Sequence, residues 1–282
     1  MVLRDAPIRR PTSAVQVVAV DAAGSRTRHD RLVTEEPMEI RVHGPGEEPT
    51  DLAVTMRTPG NDFELAVGFC VTEGVITHAD DVASVAYCVG PGGDQQFNVV
   101  TLRVRRPIVA SLRTRSFVAT ASCGLCGKTA LDDVEVRCGE VAAGPTVAAS
   151  TVRALPGRLG DAQDVFAVTG GLHAAATFTV DGTLVSVRED VGRHNALDKL
   201  VGEALLGRRL PLSDLVLMVS GRLSFELVQK AAVAGIPVLC AVSAPSSLAV
   251  KAAERFGQTV VGFVRDDRFN VYSHPERVRI DQ

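Results

Sequence analysis

The sequence lacks tryptophan, and aromatic residues make up only 4% of its 282 positions. No apolar run approaches the roughly 20 residues that a membrane-spanning helix needs. Arginine and proline interrupt the start of the chain, where a secretory signal peptide requires an unbroken apolar stretch. With 46% hydrophobic and 22% charged residues, the chain has the balance of a globular protein. We therefore expect a cytoplasmic protein whose six cysteines are thiols rather than disulfides.

An excess of basic residues is also absent. The net charge is -3, which argues against a general nucleic-acid-binding protein, because phosphate contacts need a basic surface. Only four of the 30 basic residues are lysines. The planar guanidinium group of arginine suits oxyanion recognition. Composition alone nevertheless favours codon usage in a GC-rich genome as the cause of the arginine bias.

The first third of the chain has the pattern of β-strands. Residues 38–42, 52–56 and 97–105 alternate apolar and polar side chains, as half-buried antiparallel strands do. One helix is predicted between them, because Asn61 can cap it and Glu64 follows at the capping-box spacing. Beyond about residue 106 the periodicity ends and Ser, Thr and Arg accumulate. We therefore divide the chain into a mainly β part with one helix (1–110), a mobile loop (111–127) and an α/β domain (128–282).

The rest of the chain alternates strands and helices. Residues 164–169 are interpreted as a short strand, residues 141–160 as a connection, and Asp181-Gly182 as the two-residue turn of a hairpin. Three strands at residues 215–219, 236–242 and 259–264 are separated by helices that begin at Ser224 and at Ser246 or Ser247. Short joints between such elements predict parallel pairing with right-handed crossovers.

Two cysteines, Cys123 and Cys126, lie two residues apart in the glycine-rich segment 122–128. Lys128 and a helix start after Gly127 would favour the reactive thiolate. The pair is compatible with structural zinc, a thioredoxin-like redox couple or sulfur carriage as a persulfide. Zinc normally needs four ligands, and the other cysteines are scattered singly, so no metal site is predicted. We interpret these single cysteines as core thiols: Cys70, Cys88, Cys138 and Cys240.

Small and polar residues follow several of the predicted strands. They lie at Gly170, Gly171 and His173, at Ser220 and Arg222, and at residues 243–247. Loops at the carboxyl ends of parallel strands line the ligand crevice of open α/β sheets, and small residues beside helix N-termini suit phosphate. Residues 188–195 add either a solvated loop capped by Asn195 or a polar site with Arg193 and His194 as donors. None of these segments is a GxGxxG or P-loop motif, so a phosphorylated ligand other than an ordinary dinucleotide or nucleoside triphosphate is expected.

Taken together, these segments resemble the formate dehydrogenase accessory sulfurtransferase family. The order of the pieces is more specific than any one of them, and the likeness covers most of the chain beyond about residue 36. The matching pieces are SCGLCGK (122–128), TGGLHAAA (169–176), REDVGRHNALDK (188–199), SGRLSFELVQKAAVAGIPVLCAVSAPSSLAVKAAERFGQT (220–259), GFVR (262–265) and NVYSHPER (270–277).

The resemblance implies a fold, a reaction and a set of partners. The fold would be α/β, with a cytidine deaminase-like mixed or parallel sheet core, helices on both faces and a smaller, mainly antiparallel β N-terminal part. The protein would be a homodimer that takes sulfur from a cysteine desulfurase and passes it to the Mo-bis(molybdopterin guanine dinucleotide) cofactor bound for formate dehydrogenase. Guanine nucleotides such as GDP would then bind as surrogates for that cofactor.

The resemblance also assigns roles to individual residues. Cys123 matches the persulfide position and Cys126 its partner in the motif. The cofactor-binding segment matches Phe263, Val264, Arg265, Asp266, Asp267 and Arg268, in which the two carboxylates face an expected phosphate-rich ligand. A deaminase itself is excluded, because its zinc site needs HxE upstream of PCxxC, whereas here Ala174 and Ala175 follow His173 and the cysteine pair lies upstream.

The sequence therefore predicts a sulfurtransferase that acts as a persulfide carrier. A rival hypothesis is a non-catalytic chaperone that protects the molybdenum cofactor and hands it on. A second rival is a thiol-disulfide oxidoreductase that cycles a Cys123–Cys126 disulfide.

Overall fold

The computed structural model describes residues 10–89, 95–108, 117–118 and 140–280. Two larger sheets and a layer of helices form most of this part of the chain. The strands are β1 (Thr12–Asp21), β2 (Gly24–Val33), β3 (Glu36–His43), β4 (Thr50–Arg57), β5 (Val82–Val89), β6 (Gln95–Val104), β7 (Phe117–Val118), β8 (Val147–Ala148), β9 (His173–Phe178), β10 (Leu184–Asp190), β11 (Val216–Val219), β12 (Val238–Ala241), β13 (Thr259–Gly262), β14 (Asn270–Ser273) and β15 (Val278–Arg279). The helices are α1 (Asp62–Thr72), α2 (Ala149–Asp161), α3 (Asp164–Thr169), α4 (Arg193–Leu206), α5 (Phe225–Val233) and α6 (Ser247–Phe256), with 3-10 turns at Ala79–Asp81 and Pro275–Arg277.

The larger sheet has six strands in the order β10-β9-β11-β12-β13-β14. Strands β11, β12 and β13 pair in parallel, as the alternation of strands and helices predicted. Strand β9 runs antiparallel to both of its neighbours, so β10 points the same way as the three parallel strands. The C-terminal edge strand, β14, is antiparallel to β13.

The N-terminal part forms a smaller mixed sheet in the order β5-β6-β3-β4-β7. Its β3-β4 and β5-β6 pairs are antiparallel, whereas β6 and β7 run parallel to their inner neighbours β3 and β4. A separate hairpin, β1-β2, precedes it. The predicted α/β class is confirmed, including the smaller β part. The strands predicted at residues 38–42 and 52–56 fall within β3 and β4, and the one predicted at 97–105 matches β6, which ends one residue earlier at Val104.

Helices lie on both faces of the six-stranded sheet. The main core is the layer between the two sheets, where buried residues of α1, α4, α5 and α6 pack together, among them Leu65, Leu197, Leu227 and Phe256. A second core on the opposite face joins α2 to the sheet through Val152, Leu155 and Leu159. The two sheets therefore share one continuous apolar layer rather than having separate cores.

Three local predictions are wrong. Residues 164–169 form a helix rather than a strand, and residues 141–160 include the helix α2 rather than a simple connection. The hairpin of β9 and β10 turns through residues 179–183, where Thr179 and Thr183 are hydrogen-bonded, instead of through two residues alone. Asn61 does lie at the N-cap of α1, but its backbone is left-handed and its side chain makes no capping bond.

Helices α1 and α4 cross at two glycines. A Cβ atom at Gly68 would lie 1.8 Å from the carbonyl oxygen of Asp198, and one at Gly202 would lie 1.9 Å from the carbonyl oxygen of Glu64. Real Cβ atoms do not approach backbone so closely, so the crossing requires glycine at both positions. This close approach brings the β part and the six-stranded sheet together.

Gly68→Ala should therefore lower the free energy of unfolding by at least about 3 kcal/mol, the upper end of ordinary overpacking, because backbone cannot move aside as a side chain can. Gly160→Ala in α2 is the matched control, since nothing lies within 4 Å of a Cβ there. In that control the free energy of unfolding should rise by about 0.5–1 kcal/mol, because alanine has a higher helix propensity than glycine. Urea unfolding followed by circular dichroism measures the stability of both variants. Equal stabilities would contradict the requirement for glycine where α1 and α4 cross.

Candidate functional site

The predicted strand-end loops meet at one edge of the six-stranded sheet. Strands β10, β11, β12 and β13 all end there, and the antiparallel β9 begins there. We call this the polar edge, and it comprises His173 and residues 190–194, 220–222, 242–246 and 263–268. Neighbouring loops are tied together, since Leu223 donates to the carbonyl of Ala244 and Phe263 donates to that of Ser243. The edge thus has the form of the ligand crevice of an open α/β sheet.

His173 and Arg193 flank Gly221 at the end of β11. A Cβ atom at Gly221 would lie 3.3 Å from His173 Nδ1 and 4.0 Å from Arg193 Cδ. The backbone amide of Ala174 donates to Ser220 Oγ at 2.9 Å, which aligns the start of β9 with the end of β11. The absent side chain at position 221 therefore leaves the imidazole of His173 and the side-chain stem of Arg193 close to half-buried backbone.

The electrostatic surroundings of His173 favour its neutral form. Partial burial lowers its pKa from 6.5, the nearby charges of Arg193 and His194 lower it further, and Asp190 opposes them. At neutral pH the imidazole therefore offers one donor nitrogen and one acceptor nitrogen.

Beside this pair lies a hydrogen-bonded group at the start of α5. His194 Nε2 is 3.0 Å from Glu226 Oε2 and 3.2 Å from Ser224 Oγ. The bond from His194 is the main reason that the pKa of Glu226 is lowered. Ser224 lies at the N-cap of α5, as predicted, although its hydroxyl contacts His194 rather than capping the helix.

The segment proposed from the resemblance for cofactor binding follows β13. Phe263 is exposed and has a left-handed backbone (φ 53°), whereas Val264 is buried. Arg265 Nη1 donates to the carbonyls of Val242 and Val264 at 2.5 and 2.9 Å, so this guanidinium ties the loop to the end of β12. Arg268 is exposed, and its nearest carboxylate, Asp267, lies 3.8 Å away.

The glycine pair before His173 connects α3 to β9. Gly170 takes the left-handed conformation that ends α3, and a Cβ at Gly171 would lie 3.1 Å from Val33 Cγ1 of the N-terminal hairpin. The carboxylate of Glu189 accepts from the amides of Val165 and Phe166 at 3.0 and 2.9 Å, which satisfies the free N-terminus of α3. These glycines therefore position His173, and Arg222 is exposed on the adjacent loop.

Behind the polar edge lies a buried ion pair that sequence reasoning missed. Lys199 Nζ is 2.7 Å from Asp190 Oδ2, and both side chains are almost completely buried. Asp190 also accepts from the amides of Thr58 and Gly192 and from Asn195 Nδ2. Asn195 lies inside α4 rather than capping it. The segment 188–195 is therefore the end of a strand and the start of a helix rather than a solvated loop.

Two further buried ion pairs stabilise α1 between the sheets. Arg57, which is completely buried, contacts Asp62 and Glu36 at 2.9 and 3.2 Å. Lys230 contacts both carboxylate oxygens of Asp198 at 3.0 Å. The sequence signal for these pairs is local: Asp198 and Lys199 lie between Leu197 and Leu200, and Lys230 precedes three apolar residues.

The cysteines divide into three groups. Cys70 and Cys240 are buried thiols as predicted, and burial raises the pKa of Cys240 to about 12. Cys88 is only half-buried on the edge strand β5, so its assignment to the core is wrong. Cys123, Cys126 and Cys138 lie outside the described residues, as does the predicted loop 111–127 apart from β7.

These observations define a mixed α/β protein with a polar, arginine- and histidine-bearing ligand edge. Residues 33–279 match the FdhD/NarQ family. A protein of Nocardia farcinica named sulfur carrier protein FdhD is 52% identical over 274 residues, which cover 96% of each chain. A relative of the same name from Sulfurisphaera tokodaii is 43% identical over 265 residues, covering 94% of this chain and 98% of its own. The chain belongs to the FdhD/NarQ family.

A solved structure shares the fold. The crystal structure of a protein assigned as a formate dehydrogenase accessory protein from Desulfotalea psychrophila superimposes with a TM-score of 0.71. The two chains are 22% identical, and the match covers 96% of this chain and all of the other. Within the part of the chain that the structure describes, no helix has the length and apolarity needed to cross a membrane.

Removing the positive member of the Asp190–Lys199 pair should strongly destabilise the protein. Lys199→Met leaves a carboxylate buried without its counter-ion, which typically costs about 3–5 kcal/mol of unfolding free energy. Asp80→Asn, which breaks the exposed Asp80–Arg208 pair, is the control and should leave the melting temperature nearly unchanged. Similar melting temperatures for both variants would show that Asp190 needs no buried partner.

His173 should make stability depend on pH. Because its pKa is lower in the folded protein than its ordinary 6.5, the unfolded chain binds more protons as the pH falls through that range. The free energy of unfolding should therefore decrease from about pH 7 to pH 5, and His173→Gln should reduce that decrease. Urea titrations at three pH values, with the exposed His29→Gln as control, measure the slopes. Identical slopes for wild type and His173→Gln would refute the neutral imidazole.

Proposed function

We propose that this protein is a sulfurtransferase that carries sulfur as a persulfide on Cys123. The donor is a cysteine desulfurase, and the acceptor is the Mo-bis(molybdopterin guanine dinucleotide) cofactor destined for formate dehydrogenase. Relatives that match nearly the whole chain are named sulfur carrier proteins, and this similarity supports sulfur transfer. The observation that carries the cofactor part is the polar edge, where Arg193 and a neutral His173 flank the bare backbone of Gly221.

Loading of sulfur requires one thiolate. The Cys123 thiolate attacks the terminal sulfur of the donor persulfide, so a new S–S bond forms on Cys123 and the donor cysteine leaves as a thiolate. Attack by the thiolate rather than the thiol is general for such exchanges. Neither Cys70 nor Cys240 suits this role, because burial raises the pKa of both thiols.

Release of sulfur gives Cys126 a distinct role. Its thiolate can attack the Sγ atom of persulfidated Cys123, which displaces the terminal sulfur as hydrosulfide and leaves a Cys123–Cys126 disulfide. The two electrons that reduce the sulfane sulfur come from the two cysteines, and an external dithiol, itself oxidised to a disulfide, restores both thiols. The metal of the cofactor is the acceptor and is therefore a substrate rather than a resident group.

The polar edge would hold that substrate by its nucleotide ends. Guanidinium groups and free helix N-terminal amides are the usual partners of phosphate oxygens. Arg268 and the exposed ring of Phe263 lie at the far end of the same edge, where the resemblance places cofactor binding. We further propose a homodimer, cytoplasmic localisation and binding of GDP without hydrolysis.

The two cysteines should behave differently in a loading assay with desulfurase and labelled cysteine. Cys123→Ala should lose loading and the activation of formate dehydrogenase, because it removes the nucleophile. Cys126→Ala should keep label on Cys123 but reduce activation, because sulfur release is impaired. Cys88→Ala, a half-buried cysteine on β5, is the control and should load normally.

Each rival function predicts a different result. A cofactor chaperone would bind GDP but take up no label in the wild type. A thiol-disulfide oxidoreductase would oxidise or reduce dithiols without taking up labelled sulfur. It would lose activity equally in Cys123→Ala and Cys126→Ala. Full labelling of Cys123→Ala would contradict the assignment of the carrier residue.

A further inference from the structure

Arg193 is a half-buried cation for which the structure shows no hydrogen bond or ion pair among the described residues. It is the first residue of α4, directly after the N-cap Gly192. Its Nε atom is buried and has no hydrogen-bond partner. A buried donor without a partner is unfavourable, and native structures retain few of them without a reason such as a bound ion.

The carboxylates near Arg193 are already engaged elsewhere. Asp190 uses one oxygen for Gly192 and Asn195 and the other for Thr58 and Lys199. Glu226 is paired with His194. Arg193 therefore lies among acidic groups and pairs with neither of them.

Other arginines in similar surroundings have a carboxylate of their own. Arg57 is held by Asp62 and Glu36, and Arg188 donates from two nitrogens to both oxygens of Glu64 at 2.5 and 2.9 Å. At the polar edge itself, Arg265 is bound to backbone carbonyls. The unpaired state of Arg193 is thus a local feature rather than a general property of the arginines in this fold.

The neighbours of Arg193 suit an anion. Its side chain and the imidazole of His173 flank Gly221, where no side chain intervenes. The first amides of a helix have no intrahelical acceptor and carry the positive end of the helix dipole, and α4 has 14 residues. A neutral His173 can donate one further hydrogen bond without adding a charge.

We infer that Arg193, His173 and the Gly221 turn form an oxyanion subsite that binds a phosphate of the nucleotide. The identification of that phosphate as part of the guanine dinucleotide rests on the proposed function, whereas the anion site itself does not. The Nε and terminal nitrogens of a guanidinium form a fork that takes two oxygens of one phosphate. Arg193, rather than Arg265, is then the phosphate anchor of the polar edge.

Calorimetry with GDP, guanosine and inorganic pyrophosphate tests this subsite. Arg193→Gln should lower the affinity for GDP and pyrophosphate by about 10- to 100-fold, the range of a charge-assisted hydrogen bond. The affinity for guanosine should stay unchanged. Arg193→Lys should recover only part of the loss, because lysine keeps the charge without the fork. Arg26→Gln, which changes an exposed arginine of the N-terminal hairpin outside the polar edge, is the control and should leave the affinity for all three compounds unchanged.

A second variant leaves the charge in place. Gly221→Ala puts a methyl group 3.3 Å from His173 Nδ1 and should lower the affinity for GDP and pyrophosphate. The melting temperature should stay close to that of the wild type. Unchanged GDP affinity in both Arg193→Gln and Gly221→Ala would overturn the subsite. An equal loss of affinity for guanosine and for GDP would also overturn it, because the variants would then act on the nucleoside rather than on the phosphate.

Sulfur loading separates this inference from the proposed function. If the wild type takes up sulfur on Cys123 but binds neither GDP nor pyrophosphate, the subsite is wrong and sulfur carriage stands. If pyrophosphate binds through Arg193 but Cys123 never loads, the subsite stands and the sulfurtransferase proposal fails.

Discussion

The carboxylate of Asp190 is the contact on which the architecture of the site depends. It is completely buried and accepts from Lys199, Thr58, Gly192 and Asn195, at distances between 2.7 and 3.1 Å. Thr58 directly follows β4 in the β part, Gly192 is the N-cap of α4, and Asp190 itself ends β10. One buried carboxyl group therefore joins the two sheets at the point where α4 begins. With Asp190 committed to these four partners, Arg193 has no counter-ion among the residues that the structure describes.

The helix crossing supplies the second constraint. Because Gly68 and Gly202 let α1 and α4 approach backbone to backbone, the apolar layer between the sheets is continuous. The ion pairs of Arg57 and Lys230 lie in that same layer. The β part is therefore a support that holds the end of β10 and the start of α4 in place.

Much of the fold could be predicted from the sequence, because its signals are local. Alternation identified β3, β4 and β6, and the spacing of β11, α5, β12, α6 and β13 identified the parallel core. The failures have tertiary causes. Residues 164–169 are rich in strand-forming side chains, yet Glu189 from β10 caps them as a helix. Helix α2 was concealed by Pro156, Gly157 and Gly160, although its buried face holds Val152, Leu155 and Leu159.

The site was predictable only in outline. Carboxyl ends of parallel strands must share an edge, so the convergence of Ser220 and the segment after β13 followed from topology. His173 reaches the same edge for another reason, because it begins the antiparallel strand β9. The partners of the charged residues could not be predicted in the same way. Asp190 accepts from Thr58, which lies 132 residues earlier, and sequence periodicity does not indicate such long-range contacts. That Arg193 has no partner within the described part of the chain likewise could not be inferred before its neighbours were placed.

The most direct test is mass spectrometry of the protein isolated together with the formate dehydrogenase that it is proposed to serve, both intact for bound ligand and after digestion for its peptides. Sulfur carriage onto a nucleotide-bearing cofactor predicts one extra sulfur atom on a peptide that contains Cys123, together with a bound guanylylated pterin. Both signals should be present in the same preparation. A bound pterin without sulfur on Cys123, in protein isolated with active desulfurase, would contradict the central claim.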